Sequence, residues 1–309
     1  MSSTPSPAPP RAERLSLRSS PALRANLGLL LMVGIWGANF SIIKAGLDTI
    51  PPLAFNALRF PLASAVVYLL LRRQGPIPRL RGADLWRALG LGLVGNGIYQ
   101  LFFITGMEHA HAGIASLLLA GTPILTALLS AALGHERVGA RTWAGVVGTL
   151  AGMVLVVVGG GAVDGGGTLL GNMIMLGASA TWAIYTVGSR RLIERYGPVA
   201  FTAWTLWWGT PMLVLAGLPQ LVALPLRALP PMAWVAVAYA GVLGIGLAYT
   251  LWYHGVSQIG NTRTSVYSNL VPVVALLVAW IGLGEVPTAV QIAGAAVIIG
   301  GVTVARSAH

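Results

Sequence analysis

Long apolar runs separated by short polar segments make up most of this chain. A helix needs about 20 mostly apolar residues to cross a bilayer core. Windows of that length predict ten spans: 27–47, 52–71, 84–106, 112–133, 142–159, 168–188, 198–219, 232–254, 262–283 and 287–305. Interior prolines such as Pro61, Pro123, Pro211 and Pro272 do not undo the pattern, because neighbouring helices in lipid re-satisfy the freed backbone groups. The first run holds an oddity. The stretch GIWGANFSIIKAG, Gly34 to Gly46, places a tryptophan, an asparagine, a serine and the single lysine of the chain inside an apolar span.

Composition agrees with a lipid solvent. Hydrophobic residues are 56% of the 309, charged residues 9%, and the mean hydropathy is +0.77. A soluble domain carries about 25% charged residues. There is no cysteine, which excludes disulfides, thiol catalysis and cysteine-ligated metals. Residues 1–25, rich in Pro, Ser, Ala and Arg, read as a disordered cytoplasmic tail. The tail and first run together resemble a signal peptide in outline. The run is span-length, contains Asn39 and ends without a clear cleavage site, so it reads as a retained helix.

The formal net charge of +11 is distributed as loops, not as a nucleic-acid groove. Arg11, Arg14, Arg18 and Arg24 precede span one. Arg72, Arg73, Arg79, Arg81 and Arg87 lie between spans two and three, Arg137 and Arg141 after span four, and Arg190, Arg191 and Arg195 after span six. Arg263 and Arg306 fall on the same side if there are ten spans, and Lys44 and Arg227 on the other. That asymmetry predicts both termini in the cytoplasm.

The chain is also written twice. At a shift of 149 positions Gly106 meets Gly255, Ser116 meets Ser265, Pro123 meets Pro272, Glu136 meets Glu285 and Gly152 meets Gly301. At a shift of 146, Trp36 meets Trp182, Lys44 meets Arg190, Pro52 meets Pro198 and Phe55 meets Phe201. Each copy holds five spans, an odd number, so the second enters from the opposite face. The expected fold is all-α and membrane-integral, with ten helices in two inverted five-helix repeats around a central cavity. The copies are 26–160 and 168–309, joined by a glycine-rich external linker at 161–167. Inverted repeats recur in secondary transporters, with the substrate site near the midplane between them.

The segments WGANF at 36–40, NALRF at 56–60, GTPILTALLSAALGHE at 121–136 and NLVPVVALLVAWIGLGE at 269–285 resemble the drug/metabolite transporter (DMT) superfamily, EamA type. The likeness covers almost all of the chain after the tail. It implies ten helices in two inverted halves and, for many bacterial members, solute export across the inner membrane. Family substrates include amino acids, other metabolites and cationic drugs. Within the family the chain also resembles the YddG-like exporters of aromatic and neutral amino acids.

Residues three and four apart share a helix face. Trp36, Asn39, Phe40 and Ile43 form one in span one, and Trp182, Tyr185, Thr186 and Ser189 form its counterpart in span six. Asn96, Tyr99, Gln100 and Phe103 in span three, Tyr249, Trp252 and Tyr253 in span eight, and Asn269 in span nine complete the candidate substrate-binding set. Aromatic walls with a few polar anchors are the usual form of a small-molecule site. Each residue also has a plainer reading, since Trp and Tyr collect at membrane interfaces and Asn or Ser can simply bond between helices. Pro123 and Pro272 are candidate hinges, or static kinks.

Lys44 and Arg59 are a candidate charged vestibule on the outer side, with Asp48 and Glu108 as candidate partners. Arg59 would guide a carboxylate-bearing solute, or else act as a structural pin. All eight acids map to tails, loops or span ends, which argues against a carboxylate proton relay within the spans. Two glycine-rich motifs are decoys. GLGLVG at 90–95 lies inside a span with no preceding strand, and GGGAVDGGG at 159–167 lacks a following Lys-Ser/Thr. Gly148 and Gly152 form a GxxxG suited to close helix packing, with a dimer face as one use for it. No catalytic residue, metal or cofactor is expected. The partners expected are a small-molecule substrate and the lipid bilayer, without nucleic acid, in a monomer or weak homodimer. The alternative from another class is an integral-membrane enzyme acting on a lipid or polyprenyl substrate. His109, His111 and Glu108 come nearest to what it would need.

Overall fold

The computed structural model describes residues 21–132, 139–159, 169–259, 267–268 and 270–306. All regular structure among them is helical. In chain order the helices are α1 (Pro21–Leu47), α2 (Pro52–Gln74), α3 (Ala83–Gly92), α4 (Tyr99–His109), α5 (Ala112–Ala120), α6 (Thr122–Ala132) and α7 (Ala140–Gly159). The second half supplies α8 (Leu169–Tyr196), α9 (Pro198–Ala223), α10 (Pro231–Ala238), α11 (Ala248–Ile259), α12 (Val271–Leu283) and α13 (Ala289–Arg306). Two π-helical segments, Leu93–Ile98 and Tyr239–Leu247, fuse α3 to α4 and α10 to α11.

Five of the resulting rods are long and apolar enough to cross a membrane: Leu23–Leu47, Pro52–Gln74, Ala83–His109, Val199–Ala223 and Pro231–Trp252. Four shorter apolar helices accompany them. The ends differ from the hydropathy windows where polar residues extend a helix beyond its apolar stretch. Thus α1 already includes Pro21 to Ala25, and α8 runs on through Arg191 and Arg195 to Tyr196. The linker 161–167, Glu136, Arg137, Arg263, Ser265 and Asn269 lie outside the described residues.

The packing follows the repeat. Helix α2 packs on its counterpart α9, and α7 on its counterpart α13. Other paired contacts cross between the halves: α4 on α8 is matched by α11 on α1, and α6 on α8 by α12 on α1. At α7 against α13 the fit depends on missing side chains. A Cβ on Gly152 would stand 2.8 Å from Gly294 O and from Ile298 N, and one on Gly301 would stand 2.8 Å from Gly145 O. The Gly148–Gly152 motif is therefore used within the chain, against its own repeat mate.

Span four breaks at Gly121, whose N–H bonds Leu118 O in a turn before α6 begins at Thr122. Span nine does the same at Leu270, whose N–H bonds Tyr267 O before α12 begins at Val271. Both candidate hinge prolines, Pro123 and Pro272, thus occupy the first turn of a new helix. Proline is well tolerated there because no intrahelical partner awaits its missing N–H. Neither is a kink within a continuous helix.

Candidate functional site

Helices α1, α4, α8 and α11 turn their aromatic faces toward one another. Trp36 meets Tyr249 edge-on with ring centroids 6.0 Å apart, and meets Trp252 at 5.7 Å. Tyr249 also lies 6.4 Å from Trp182, the repeat mate of Trp36. The series continues through Tyr99, 4.8 Å from Trp182, then Phe103 at 5.9 Å and Phe40 at 5.9 Å. Tyr185 branches from Trp182 at 5.1 Å and stacks on Phe201 at 5.4 Å. Aromatic pairs of this kind contribute about 0.5–1.5 kcal/mol beyond area burial. A continuous aromatic surface thereby joins both halves, bringing together side chains as distant along the chain as Trp36 and Trp252.

The π segments explain how the helices come close enough. The indole N–H of Trp36 donates to Gly244 O at 2.9 Å. A Cβ on Gly244 would lie 2.8 Å from Asn39 Oδ1, and one on Gly95 would run into the ring of Tyr185. Gly95 and Gly244 are 149 positions apart, and Asn39 and Tyr185 are 146 apart. The repeat therefore uses the same device twice: a glycine in a π segment admits a polar side chain from the crossing helix. Segments of π-helix occur frequently at functional sites.

Polar atoms punctuate this surface. Asn39 Oδ1, Asn96 Nδ2 and Trp208 Nε1 have no hydrogen-bond partner among the described residues. The Tyr185 hydroxyl shares a 3.0 Å hydrogen bond with Thr205 Oγ1. On α2 the Arg59 guanidinium is 1% exposed and is the largest fully buried side chain described. Its Nε donates to Asn56 Oδ1 at 2.9 Å and its Nη2 to Gln100 Oε1 at 2.8 Å, while Asn56 Nδ2 donates to Gln100 O at 3.0 Å. Phe55, Phe60 and Phe103 surround the guanidinium at 5.4, 5.4 and 5.7 Å.

The one face expected on span three is thus divided. Tyr99 and Phe103 join the aromatic series, Gln100 turns to α2, and Asn96, within the π segment, lies against Gly209 of α9. The side chains of Tyr253 and Pro123, with the whole of Asn269, lie outside the described parts of the structure. Arg59 and Lys44 do not form a shared open mouth. Arg59 is enclosed, without Asp48 or Glu108. Lys44 Nζ donates to the carbonyls of Met107 and Glu108, both at 2.9 Å, and so caps the C-terminal end of α4 as the helix dipole favours.

Each end of the bundle carries a polar contact that links the halves. At one end Glu285 accepts from the N–H groups of Ala112 and Gly113 at 3.2 and 3.4 Å, opposite His111 Nδ1 at 3.3 Å. At the other, Asp84 at the start of α3, 3% exposed, accepts from Arg195 at 2.5 Å and from the Tyr196 hydroxyl at 3.0 Å. Sequence reasoning missed Asn56, Thr205, Asp84 and the two π-segment glycines as site-forming residues. The signal for the glycines was the repeat itself. The GLGLVG stretch, a decoy as a nucleotide motif, supplies Gly95 and also Gly92, whose Cβ would meet Thr205 O at 2.6 Å.

Comparison with known proteins agrees with this architecture. The model of the EamA-like transporter family matches twice, at residues 23–158 and 169–307. The chain is 31% identical over 274 residues to the uncharacterized transporter YdfC of Bacillus subtilis, covering 88% of this chain and 87% of that one. It is 30% identical over 282 residues to a protein of Streptantibioticus cattleyicolor named a probable terminal-alkyne amino-acid exporter, covering 90% and 92%. A protein of Salmonella typhimurium named a probable amino-acid metabolite efflux pump is 28% identical over 282 residues, covering 88% and 91%. A solved crystal structure superposes with a TM-score of 0.65 at 23% identity, over 91% of this chain and 96% of that one, and so shares the fold. The chain belongs to the EamA-like transporter family, within the drug/metabolite transporter superfamily, and is a multi-pass membrane transporter.

Proposed function

We propose that this transporter exports small organic solutes, with aromatic or neutral amino acids as its principal class, by alternating access. In this reading the ten spans form two inverted five-span repeats in a bacterial inner membrane, with both termini cytoplasmic. Trp36, Asn39, Tyr99, Trp182, Tyr185, Tyr249 and Trp252 face the transported solute. Gly121 and Leu270, the breaks preceding Pro123 and Pro272, serve as the flexing points. The observation that carries the reading is Tyr249, contacted at once by Trp36 and by its repeat mate Trp182. A solute bound beside that residue touches both halves, and rocking one half against the other re-exposes it on the opposite side.

The relatives named as amino-acid exporters support the substrate class. Aromatic faces also attract cations, so export of cationic drugs is the competing reading within the family. An enzymatic role on lipid substrates has less behind it. His109 pairs with Glu108 at 3.7 Å, and His111 is directed at Glu285, which already holds two backbone N–H groups. The discriminating experiment is a counterflow screen in proteoliposomes, with amino acids and cationic dyes, with and without a pH gradient. Saturable exchange of an aromatic amino acid is expected. Movement of dyes with no amino acid exchanged would overturn the amino-acid reading.

A further inference from the structure

We infer that Arg59 is the anion-binding element of the transport site and that its ligand is a carboxylate, a proposal that rests on the amino-acid reading for its substrate class. Arg59 lies seven residues into α2, about 10 Å from the helix end, where a full charge is expected to face protein or a water-filled path and to have a partner. None of the described acids supplies one. Asp84 is held by Arg195 and Tyr196, Glu108 lies against His109, and Glu285 is taken by Ala112, Gly113 and His111.

The hydrogen bonds that Arg59 makes go to neutral amides, which leave its charge uncancelled. Nε and one N–H of Nη2 are spent on Asn56 and Gln100, which leaves the second Nη2 N–H beside Nη1 for a forked contact. No described residue accepts from Nη1. Asn56 and Gln100 are themselves tied together by the Asn56 Nδ2 bond to Gln100 O, so the guanidinium is clamped before any ligand arrives. Phe103 contacts both the guanidinium and the aromatic series, placing the cation at the border of the proposed solute path. A group held in this way is pre-organised for an anion and repels a cation. The arginine fork matches a carboxylate or a phosphate, and the amino-acid reading selects the carboxylate. With its ammonium group and side chain on the aromatic faces, an amino acid would neutralise a charge that the fold leaves bare. A cationic drug would add to it, and specificity of this kind needs such a repulsive element.

The test uses the full chain, with binding followed by tryptophan fluorescence in detergent and exchange followed in proteoliposomes. The probes are phenylalanine, 3-phenylpropionate, phenylalanine methyl ester and phenethylamine. The native protein is expected to bind phenylalanine and 3-phenylpropionate at least tenfold more tightly than the ester. Arg59→Gln should lose that preference and bind phenethylamine as well as or better than before. Arg59→Lys, which keeps the charge but not the fork, should fall between. If Arg59→Gln does not fold, the native protein decides: acid and ester bound within threefold of one another overturn the proposal. Phenylalanine exchange with wild-type carboxylate affinity in Arg59→Gln sinks the anion site and leaves the transport reading intact. Tight, Arg59-dependent binding of 3-phenylpropionate without exchange of any amino acid does the reverse.

Discussion

Adding one methyl group to the π segments should reveal whether the two halves interlock as described. In an exposed helix, Gly→Ala stabilises by about 1 kcal/mol. At Gly95 the new Cβ would overlap the Tyr185 ring, which is 5% exposed, stacked on Phe201 and hydrogen-bonded to Thr205. That ring cannot move without giving up both contacts. Overpacking of this kind costs about 1–3 kcal/mol, so after the helix gain Gly95→Ala should be destabilising by up to about 2 kcal/mol net. At Gly244 the obstacle is the Asn39 amide, 2.8 to 3.2 Å away. It is the end of a flexible side chain and can rotate, so Gly244→Ala should come out within about 1 kcal/mol of neutral. Thermal unfolding in detergent, read by size exclusion, ranks the two. Adding Gly95→Ala to Tyr185→Ala should cost almost nothing, giving a coupling of about 1–3 kcal/mol in a double-mutant cycle. A Gly95→Ala protein more stable than the native one would refute the interlock.

Other expectations concern the ends and the seam. Glu285→Ala strands the N–H groups of Ala112 and Gly113 at the start of α5, costing about 1–2 kcal/mol by thermal unfolding, whereas Glu285→Gln, which keeps an acceptor oxygen, should recover at least half of it. Asp84→Asn weakens the contact with Arg195, 62% exposed, and with Tyr196. The stability loss by thermal unfolding should stay below about 1 kcal/mol, and a loss above about 2 kcal/mol would show that the exposed arginine contributes more than a surface partner. Gly152→Val drives a side chain against Gly294 O and Ile298 N. It should lower the melting temperature without altering mass by light scattering, and a dimer lost on substitution would show that the seam lies between copies instead.

Much of the candidate site was legible from side-chain spacing. Trp36 and Phe40, Tyr99 and Phe103, Trp182 and Tyr185, and Tyr249 and Trp252 are each three or four apart, and each pair reaches the aromatic surface. Helical periodicity makes such faces visible, and the repeat tells which spans correspond. Three features were not legible. A π segment adds a residue to a turn and rotates the remainder of the rod by about 100° relative to a regular helix, which separates Asn96 from Tyr99. Pro272 reads as a kink until the turn at Leu270 shows that a new helix starts there. Arg59 reads equally as a vestibule charge or a structural pin until Asn56 and Gln100 are seen to enclose it.

By itself, the amino-acid sequence determined the lipid solvent, the approximate positions of the apolar rods and the internal repeat. Those properties are local or additive: hydropathy sums along a window, and a repeat is a comparison of the chain with itself. Only the tertiary structure decided which faces meet. Trp36 finds Gly244 and Tyr249 across most of the chain, and that meeting depends on helix crossings, π-segment register and the absence of a Cβ at single glycines. Those are properties of pairs of surfaces, and no window along one stretch of sequence contains both members of the pair.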